Sequence, residues 1–218
     1  VENYGSISET FVSKLINGLS NMNNDLSVVV DKKKCYSQKD NIEIYESGFN
    51  STLNKTIFWV TYLLKILVKK DYFYYLKRKV TSYKLRNILT KINPDVIYIE
   101  FGNNAVLAEK IINSLGIPYI VHYHGKDVTA LTKNIEYNKI LRNIFLTSYK
   151  SIGCSNYISN RLELLGCPAN KIETVYNAVD LPKDFFNKKT EYPSMVFIGR
   201  LVNKKNPMAL IKAFEKVL

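Results

Sequence analysis

Short runs of apolar, β-branched residues alternate along the chain with longer amphipathic stretches. The runs predict strands at residues 28–30, 42–45, 96–99, 119–122, 151–154, 172–176 and 195–198. The longer stretches predict helices at residues 7–21, 53–70, 72–91, 104–115, 135–147, 156–165 and 207–217. Alternation of this kind implies right-handed crossovers and a parallel sheet that is covered on both faces. The expected fold class is therefore a doubly wound α/β protein.

A change of composition near residues 182–194 indicates a boundary between two domains. This stretch carries two prolines and mixed charge between two apolar strands. We predict an N-terminal domain over residues 1–186, a linker over 187–194 and the start of a second domain over 195–218. One strand, one turn and one helix cannot cover both faces of a sheet, so we expect sequence to be missing after Leu218. Because the first residue is not Met, we also expect sequence to be missing before Val1.

Composition and charge narrow the class of protein. Of the 218 residues, 46% are hydrophobic, 9 are Gly and 6 are Pro, which argues against a disordered or fibrous chain. Lys and Arg number 31 against 19 Asp and Glu, and the net charge of +12 favours anionic partners such as phosphates, acidic lipids or nucleic acid. Three cysteines without a CxxC pair predict neither a zinc cluster nor a disulfide scaffold, and they fit a reducing cytoplasm.

Several common catalytic signatures are absent from the sequence. No strand is followed by GxGxxG, and the chain has no GxxxxGK[ST], HExxH or GxSxG segment, which argues against nicotinamide oxidoreductases, P-loop ATPases, zinc proteases and serine hydrolases. Ligands of open parallel sheets bind beyond the carboxyl ends of the strands. The small and polar residues that follow predicted strands are therefore candidate sites, namely Phe101-Gly102, Gly125, Ser155 and Gly199.

The opening segment GSISETF has the spacing of a helix capping box, with Ser6 and Glu9 three residues apart. One interpretation is only a well-capped helix. The other is that the N-terminus of this helix presents free amides to a bound anion. The pattern leaves both interpretations open.

The segment HYHGKD at residues 122–127 holds the only two histidines of the chain, His122 and His124. Because they are two residues apart, they lie on one face of a strand. Gly125 permits a sharp turn, and Asp127 is able to cap the short helix that follows. A metal site would need a third ligand that the sequence does not display. The two remaining interpretations are a structural role and hydrogen bonding of a neutral imidazole to a sugar, of which we favour the second.

The segment MVFIGRLVNKKNP places two cations, Arg200 and Lys205, beside a helix that opens with Asn206-Pro207. Proline is preorganised for the first helical turn. Arg offers forked donors, Lys a compact charge and the helix start unpaired amides, so the arrangement suits a diphosphate. Two solvated surface cations are the alternative.

These segments together resemble glycosyltransferase family 4, the retaining enzymes of GT-B fold that use nucleotide sugars. The resemblance covers SETFVSKLINGLS near the start, NPDVIYIEFGNNAVLAEKIINSLGIPYIVHYHGKDV in the middle, and VYNAVDLPKDFF and MVFIGRLVNKKNPMALIKAF near the end. It implies a cleft between two Rossmann-like domains, with the acceptor bound mainly by the N-terminal domain and the nucleotide sugar by the other. It also implies that no cofactor and no metal is required.

The resemblance extends to individual positions through the family elements HG-x-D, Asn-Gly-Val-Asp and Gly-Arg-Leu. The implied catalytic residues are His124, Asp127, Arg200 and Lys205. The implied substrate-binding residues are Ser8, Glu9, Gly125, Asn177, Asp180 and Gly199. Two positions depart from the family, since Ala178 replaces a glycine and Glu100 stands where the family often has histidine. A glutamate pair that the family carries later in its second domain does not occur before Leu218, so we expect the chain alone to be inactive.

Residues 55–91 carry ten Lys or Arg against one acid, Asp71, and so hold +9 of the +12 charge. Aromatic residues are interleaved with these cations, which suits peripheral contact with an anionic membrane, on the inner face of the plasma membrane for a cytoplasmic protein. Two helices packed on the sheet with a solvated basic edge explain the pattern equally well. Nucleic-acid binding through stacked bases is the less favoured third interpretation.

Two classes of function follow. The favoured class is a hexosyl-type transferase that moves a sugar from a nucleotide-diphosphate sugar to a glycan or lipid-linked acceptor in polysaccharide or glycoconjugate synthesis of the cell envelope. The alternative is a non-catalytic basic module, a truncated or degenerate relative that binds a membrane or nucleic acid. A sugar-nucleotide epimerase of similar fold is a weaker rival among the enzymes.

Overall fold

The computed structural model describes residues 10–22, 24–31, 42–47, 83–179, 194–199 and 201–216. The chain divides into two compact units, Val1–Val179 and Asp180–Leu218. The linker predicted at residues 187–194 lies almost wholly outside the described residues, as do the helix predicted at 53–70 and most of the one predicted at 72–91. Those assignments stay predictions.

The N-terminal unit alternates strands and helices. Its strands are β1 (Ser27–Val30), β2 (Glu43–Glu46), β3 (Ile97–Glu100), β4 (Tyr119–Tyr123), β5 (Lys150–Gly153) and β6 (Ile172–Thr174). Its helices are α1 (Thr10–Ser20), α2 (83–92 in the described part), α3 (Gly102–Leu115), α4 (Ile135–Thr147) and α5 (Asn156–Leu164). The order and type of these elements follow the hydrophobic pattern of the chain.

Every strand pair in the described part of the chain is parallel. The four strands β3, β4, β5 and β6 form one sheet in that order, and β1 pairs with β2 in a second. The predicted α/β class with parallel strands is confirmed, with the difference that β1 and β3 do not pair. Residues of both strands line a common cavity of about 660 Å3.

Strand β4 lies at the centre of the N-terminal core. Tyr119, Val121 and Tyr123 point to one face of the sheet and His122 to the other, and all four are buried. A strand that is buried on both faces is typical of parallel sheets with helices on either side. One large apolar cluster surrounds this sheet, and a smaller one lies between α1 and β1.

Side-chain caps explain where two of the helices begin. The Asn134 side chain accepts a hydrogen bond from the Tyr137 amide at 2.8 Å at the start of α4. The Ser155 hydroxyl accepts from the Ile158 amide at 3.4 Å at the start of α5. Each cap satisfies an amide that has no partner within its helix.

In the C-terminal unit, a single turn at Asn203–Lys205 leads into α6 (Pro207–Glu215). The strand predicted at residues 195–198 is not formed among the described residues, so that prediction is wrong. Val196 and Ile198 are 75% and 93% exposed. A strand exists only by hydrogen bonding to a neighbour, and no described strand pairs with this segment. None of the described helices combines the length and apolar character needed to span a bilayer.

Candidate active site

The carboxyl ends of β3 and β4 bring three ionisable side chains together. Glu100 ends β3 and lies opposite His122 in the parallel register, and His124 follows two residues later. Glu100 and His122 are 3% and 4% exposed. This edge of the sheet is where ligands of open α/β folds bind.

The carboxylate of Glu100 contacts both histidines. Its Oε2 lies 2.5 Å from Nε2 of His124, and its Oε1 lies 3.6 Å from Nδ1 of His122. The hydroxyl of Tyr98 lies 2.9 Å from the same Nδ1 of His122. The four side chains therefore form a continuous chain of polar contacts in a buried place.

Electrostatics decide which of these groups carry charge. Burial alone would raise the pKa of Glu100, but the interactions with His122 and His124 outweigh burial and hold the pKa below its usual value. Burial, and next the charge of Glu100, raise the pKa of Tyr98. At neutral pH the site thus contains an ionised Glu100 beside a protonated Tyr98 phenol.

Aromatic rings enclose the imidazole of His124. Its centroid lies 4.8 Å from the Phe11 ring, 4.7 Å from the Phe101 ring and 4.2 Å from the His122 ring. Phe101 adopts φ 70°, a conformation that is uncommon for a residue with a side chain. This unusual backbone at the start of α3 is one of the conditions that place the Phe101 ring against His124, and such strain clusters at functional sites.

The carboxylate of Asp127 accepts hydrogen bonds from three backbone amides. These are the amides of Gly102 at 2.9 Å, Gly125 at 2.8 Å and His124 at 3.2 Å. The sequence suggested that Asp127 caps the helix that follows it, and that expectation is wrong, because the carboxylate instead satisfies the first amide of α3. Asp127 thus joins the loop after β4 to the helix after β3, and its predicted contact with a sugar stays a prediction.

Two glycines allow this close arrangement. Gly125 has φ +135°, which side chains disfavour, and it allows the sharp turn after β4 that the sequence predicted. A Cβ at Gly102 would lie 2.8 Å from a ring carbon of Tyr123. The start of α3 can therefore approach β4 only without a side chain at residue 102.

The other predicted site residues are distributed over both units. Asn177 is exposed and lies after β6 in the N-terminal unit. Gly199 and Lys205 are exposed and belong to the C-terminal unit, where Lys205 ends the turn before α6. Ser8, Glu9, Asp180 and Arg200 lie outside the described residues, so their roles stay predictions.

Only the end of the basic region, residues 83–91, belongs to the described part of the chain. Here α2 buries Leu85 and Leu89. Its exposed Arg86 donates to the Ser114 hydroxyl at 2.9 Å, and Lys91 lies 5.5 Å from the Tyr45 ring centroid. This part behaves as a helix packed on the sheet with a basic edge, while residues 55–82 are outside the described residues.

Glu100, His122 and His124 also offer one possible metal ligand each, with the ligand atoms within 4.8 Å of one another. The third ligand that a metal site would need is thus available, although the sequence did not display it. A metal would have to displace the hydrogen between Glu100 and His124. That no metal is required stays a prediction.

Sequence reasoning missed Glu100 and Tyr98 as site residues. The available signal was a carboxylate at the end of the apolar strand IYIE, where a charged residue must find a partner. The partner is not visible in the sequence because it lies on the neighbouring strand.

Comparisons with known proteins agree with this fold. A family model described as Glycosyltransferase Family 4 matches residues 8–183. An uncharacterized glycosyltransferase of Methanocaldococcus jannaschii is 26% identical over 140 residues, which are 63% of this chain and 39% of that relative. The chain therefore spans about two fifths of the length of this curated relative.

Two solved structures share the fold at low sequence identity. Anabaena HepE in complex with UDP and glucose matches 82% of this chain with 43% of its own, at a TM-score of 0.55 and 14% identity. The apo form of the lipopolysaccharide outer core galactosyltransferase WaaB matches 82% of this chain with 44% of its own, at a TM-score of 0.53 and 14% identity. These similarities show an α/β fold of GT-B type.

Proposed function

The chain belongs to Glycosyltransferase Family 4, and we propose that it forms the acceptor-side domain and the start of the donor-binding domain of a retaining hexosyltransferase. The donor is a nucleotide-diphosphate sugar, and no cofactor takes part. Support for such a donor comes from HepE, which was crystallised with UDP-glucose. The observation that carries the proposal is the contact between buried Glu100 and partly buried His124 at the ligand-binding edge of a GT-B-type sheet.

The N-terminal unit supplies the groups that orient the sugar. The imidazole of His124 is one-tenth exposed, and its Nε2 contacts Glu100. A side chain held in this way by hydrogen bonding and ring packing loses little conformational freedom when a sugar hydroxyl binds to it. Gly125 and Asp127 hold the loop that positions this imidazole.

The C-terminal unit supplies the charge that stabilises the leaving group. Breaking the bond between the anomeric carbon and the diphosphate develops negative charge on the diphosphate, and a preorganised cation stabilises that charge more than it stabilises the intact donor. We assign this role to Arg200 and Lys205. Lys205 lies two residues before α6 begins at Pro207, where the positive end of the helix dipole favours phosphate.

The acceptor is a glycan or a lipid-linked sugar in polysaccharide or glycoconjugate synthesis. We base this on the basic and aromatic residues of region 55–91, which suit the headgroup layer of an anionic membrane. The protein then works in the cytoplasm, at the inner face of the plasma membrane. Sedimentation with vesicles tests this, since binding should require anionic lipid and weaken as salt rises. Binding that ignores lipid charge would refute the membrane contact.

A panel of nucleotide sugars tests the transfer itself. A form of the protein with a complete second domain should release nucleoside diphosphate from one of them, and the 218-residue chain alone should not. Lys205→Ala in the complete form should lower transfer by ~10²-fold or more. Lys212→Ala, which removes an exposed lysine from α6 in the same unit, is the matched control and should leave transfer unchanged.

Three results would contradict parts of this proposal. Absence of affinity for any nucleoside diphosphate in the complete form would contradict the assigned function and favour a non-catalytic basic module. Turnover by the 218-residue chain would contradict its expected inactivity. Equal rates for Lys205→Ala and the wild type would remove Lys205 from the mechanism.

A further inference from the structure

We propose that Glu100 is the positioning residue for His124, holding the hydrogen on Nε2 so that Nδ1 is the nitrogen presented to the substrate. This inference rests on the proposed function and adds a specific partner to it. The family resemblance marked Glu100 only as a departure and gave it no role in the site. The inference comes from the contacts between the ends of β3 and β4.

The contact between Glu100 and His124 determines which nitrogen of the imidazole carries the hydrogen. An ionised carboxylate only accepts hydrogen bonds, and Oε2 of Glu100 lies 2.5 Å from Nε2 of His124. Two acceptors at that distance would repel each other, so Nε2 must carry a hydrogen. In the neutral ring the lone pair is therefore on Nδ1.

The second ring nitrogen is the one left for a ligand. Nδ1 of His124 makes no hydrogen bond within the described part of the chain. This atom is also not fully buried, so a ligand can reach it. The neighbouring His122 differs, since its Nδ1 contacts Tyr98 and its Nε2 is fully buried. His124 is thus the histidine that is able to accept a hydrogen bond from a sugar hydroxyl.

Packing keeps the ring in this orientation. The rings of Phe11, Phe101 and His122 lie within 5 Å of the His124 ring, centroid to centroid. A ring flip would put Cε1 in the place of Nε2 and Cδ2 in the place of Nδ1, so it would break the contact with Glu100 and would have to move these neighbouring rings. The carboxylate and the three rings together hold one ring orientation and one tautomer.

Nitrogen-15 NMR of the 218-residue chain tests the pairing without any substrate. The chain contains only two histidines, so histidine-selective labelling gives four ring-nitrogen signals. At neutral pH we expect a protonated Nε2 on His124 with a downfield, slowly exchanging proton. An unprotonated Nε2 on His124 in the wild type would overturn the proposal, and so would a spectrum that changes when a chelator removes metal.

Substitution of Glu100 tests whether this carboxylate sets the tautomer of His124. Glu100→Gln should abolish the downfield proton and mix the two tautomers, because a glutamine amide can either donate or accept. Glu163→Gln removes an exposed carboxylate and should leave the spectrum unchanged. Unchanged His124 signals in Glu100→Gln would overturn the proposal.

Kinetics of a form with a complete second domain show whether the pair matters for transfer. Glu100→Gln should lower kcat by ~10- to 100-fold, on the scale of a misplaced catalytic group. The loss should vanish in a His124→Ala background, since a positioning residue acts only through its partner. Additive losses would overturn the proposal. If no form transfers sugar, the proposed function fails while the NMR result still decides the pairing.

Discussion

Replacing Asp127 by alanine should destabilise the N-terminal unit strongly. The carboxylate is 3% exposed and accepts from the amides of Gly102, His124 and Gly125. Hydrogen bonds to a charged group contribute about 1.5–3 kcal/mol each, and a buried amide left without a partner costs about 1–3 kcal/mol. Because such terms are not additive, we expect a total loss of about 3–5 kcal/mol in the free energy of unfolding.

Urea unfolding measures this loss. The near-UV circular dichroism of the tyrosines reports on the N-terminal unit, since Tyr119, Tyr123 and Tyr137 are all buried there. With a urea slope of about 2 kcal/mol/M, the midpoint should fall by ~1.5–2.5 M. Asp127→Asn keeps one acceptor oxygen and should lose less.

The matched control is Asp95→Ala, which removes an exposed carboxylate from the same unit. It should change the stability by less than about 0.5 kcal/mol. A loss below about 1 kcal/mol in Asp127→Ala, or one equal to that of the control, would refute the reasoning. Asp127 would then not be the residue that joins the loop after β4 to α3.

Two further predictions concern stability. Because the pKa of Glu100 is lower in the folded protein, its ionised form stabilises the fold above the ordinary glutamate pKa, and this contribution is lost as the pH falls through the lowered pKa. Acid unfolding of the wild type and of Glu100→Gln checks this. Parallel curves of stability against pH for the two proteins would contradict it. Gly153→Ala should cost about 1–3 kcal/mol, because its Cβ would lie 2.7 Å from the Ser159 backbone nitrogen. Gly18→Ala, with no atom within 4 Å, should be neutral or stabilising by up to about 1 kcal/mol in thermal unfolding, and equal effects of the two substitutions would contradict the packing argument.

Local sequence accounts for most of the N-terminal elements. The predicted helix at 135–147 matches α4 residue for residue, because the Asn134 cap and the apolar periodicity lie within the segment itself. The histidine pair was placed at the end of β4 for the same reason, since strand alternation is a local property. The predicted strand at residues 195–198 failed because pairing requires a second strand.

The contacts between side chains of the site could not be predicted from the sequence. Glu100 and His124 are 24 residues apart, and only the parallel register of β3 and β4 brings them into contact. The direction of the Asp127 carboxylate likewise depends on where α3 begins relative to the loop after β4. Local patterns predict most of the helices and strands of the N-terminal unit, whereas strand pairing and the pairing of charges depend on distances that exist only after the sheet has assembled.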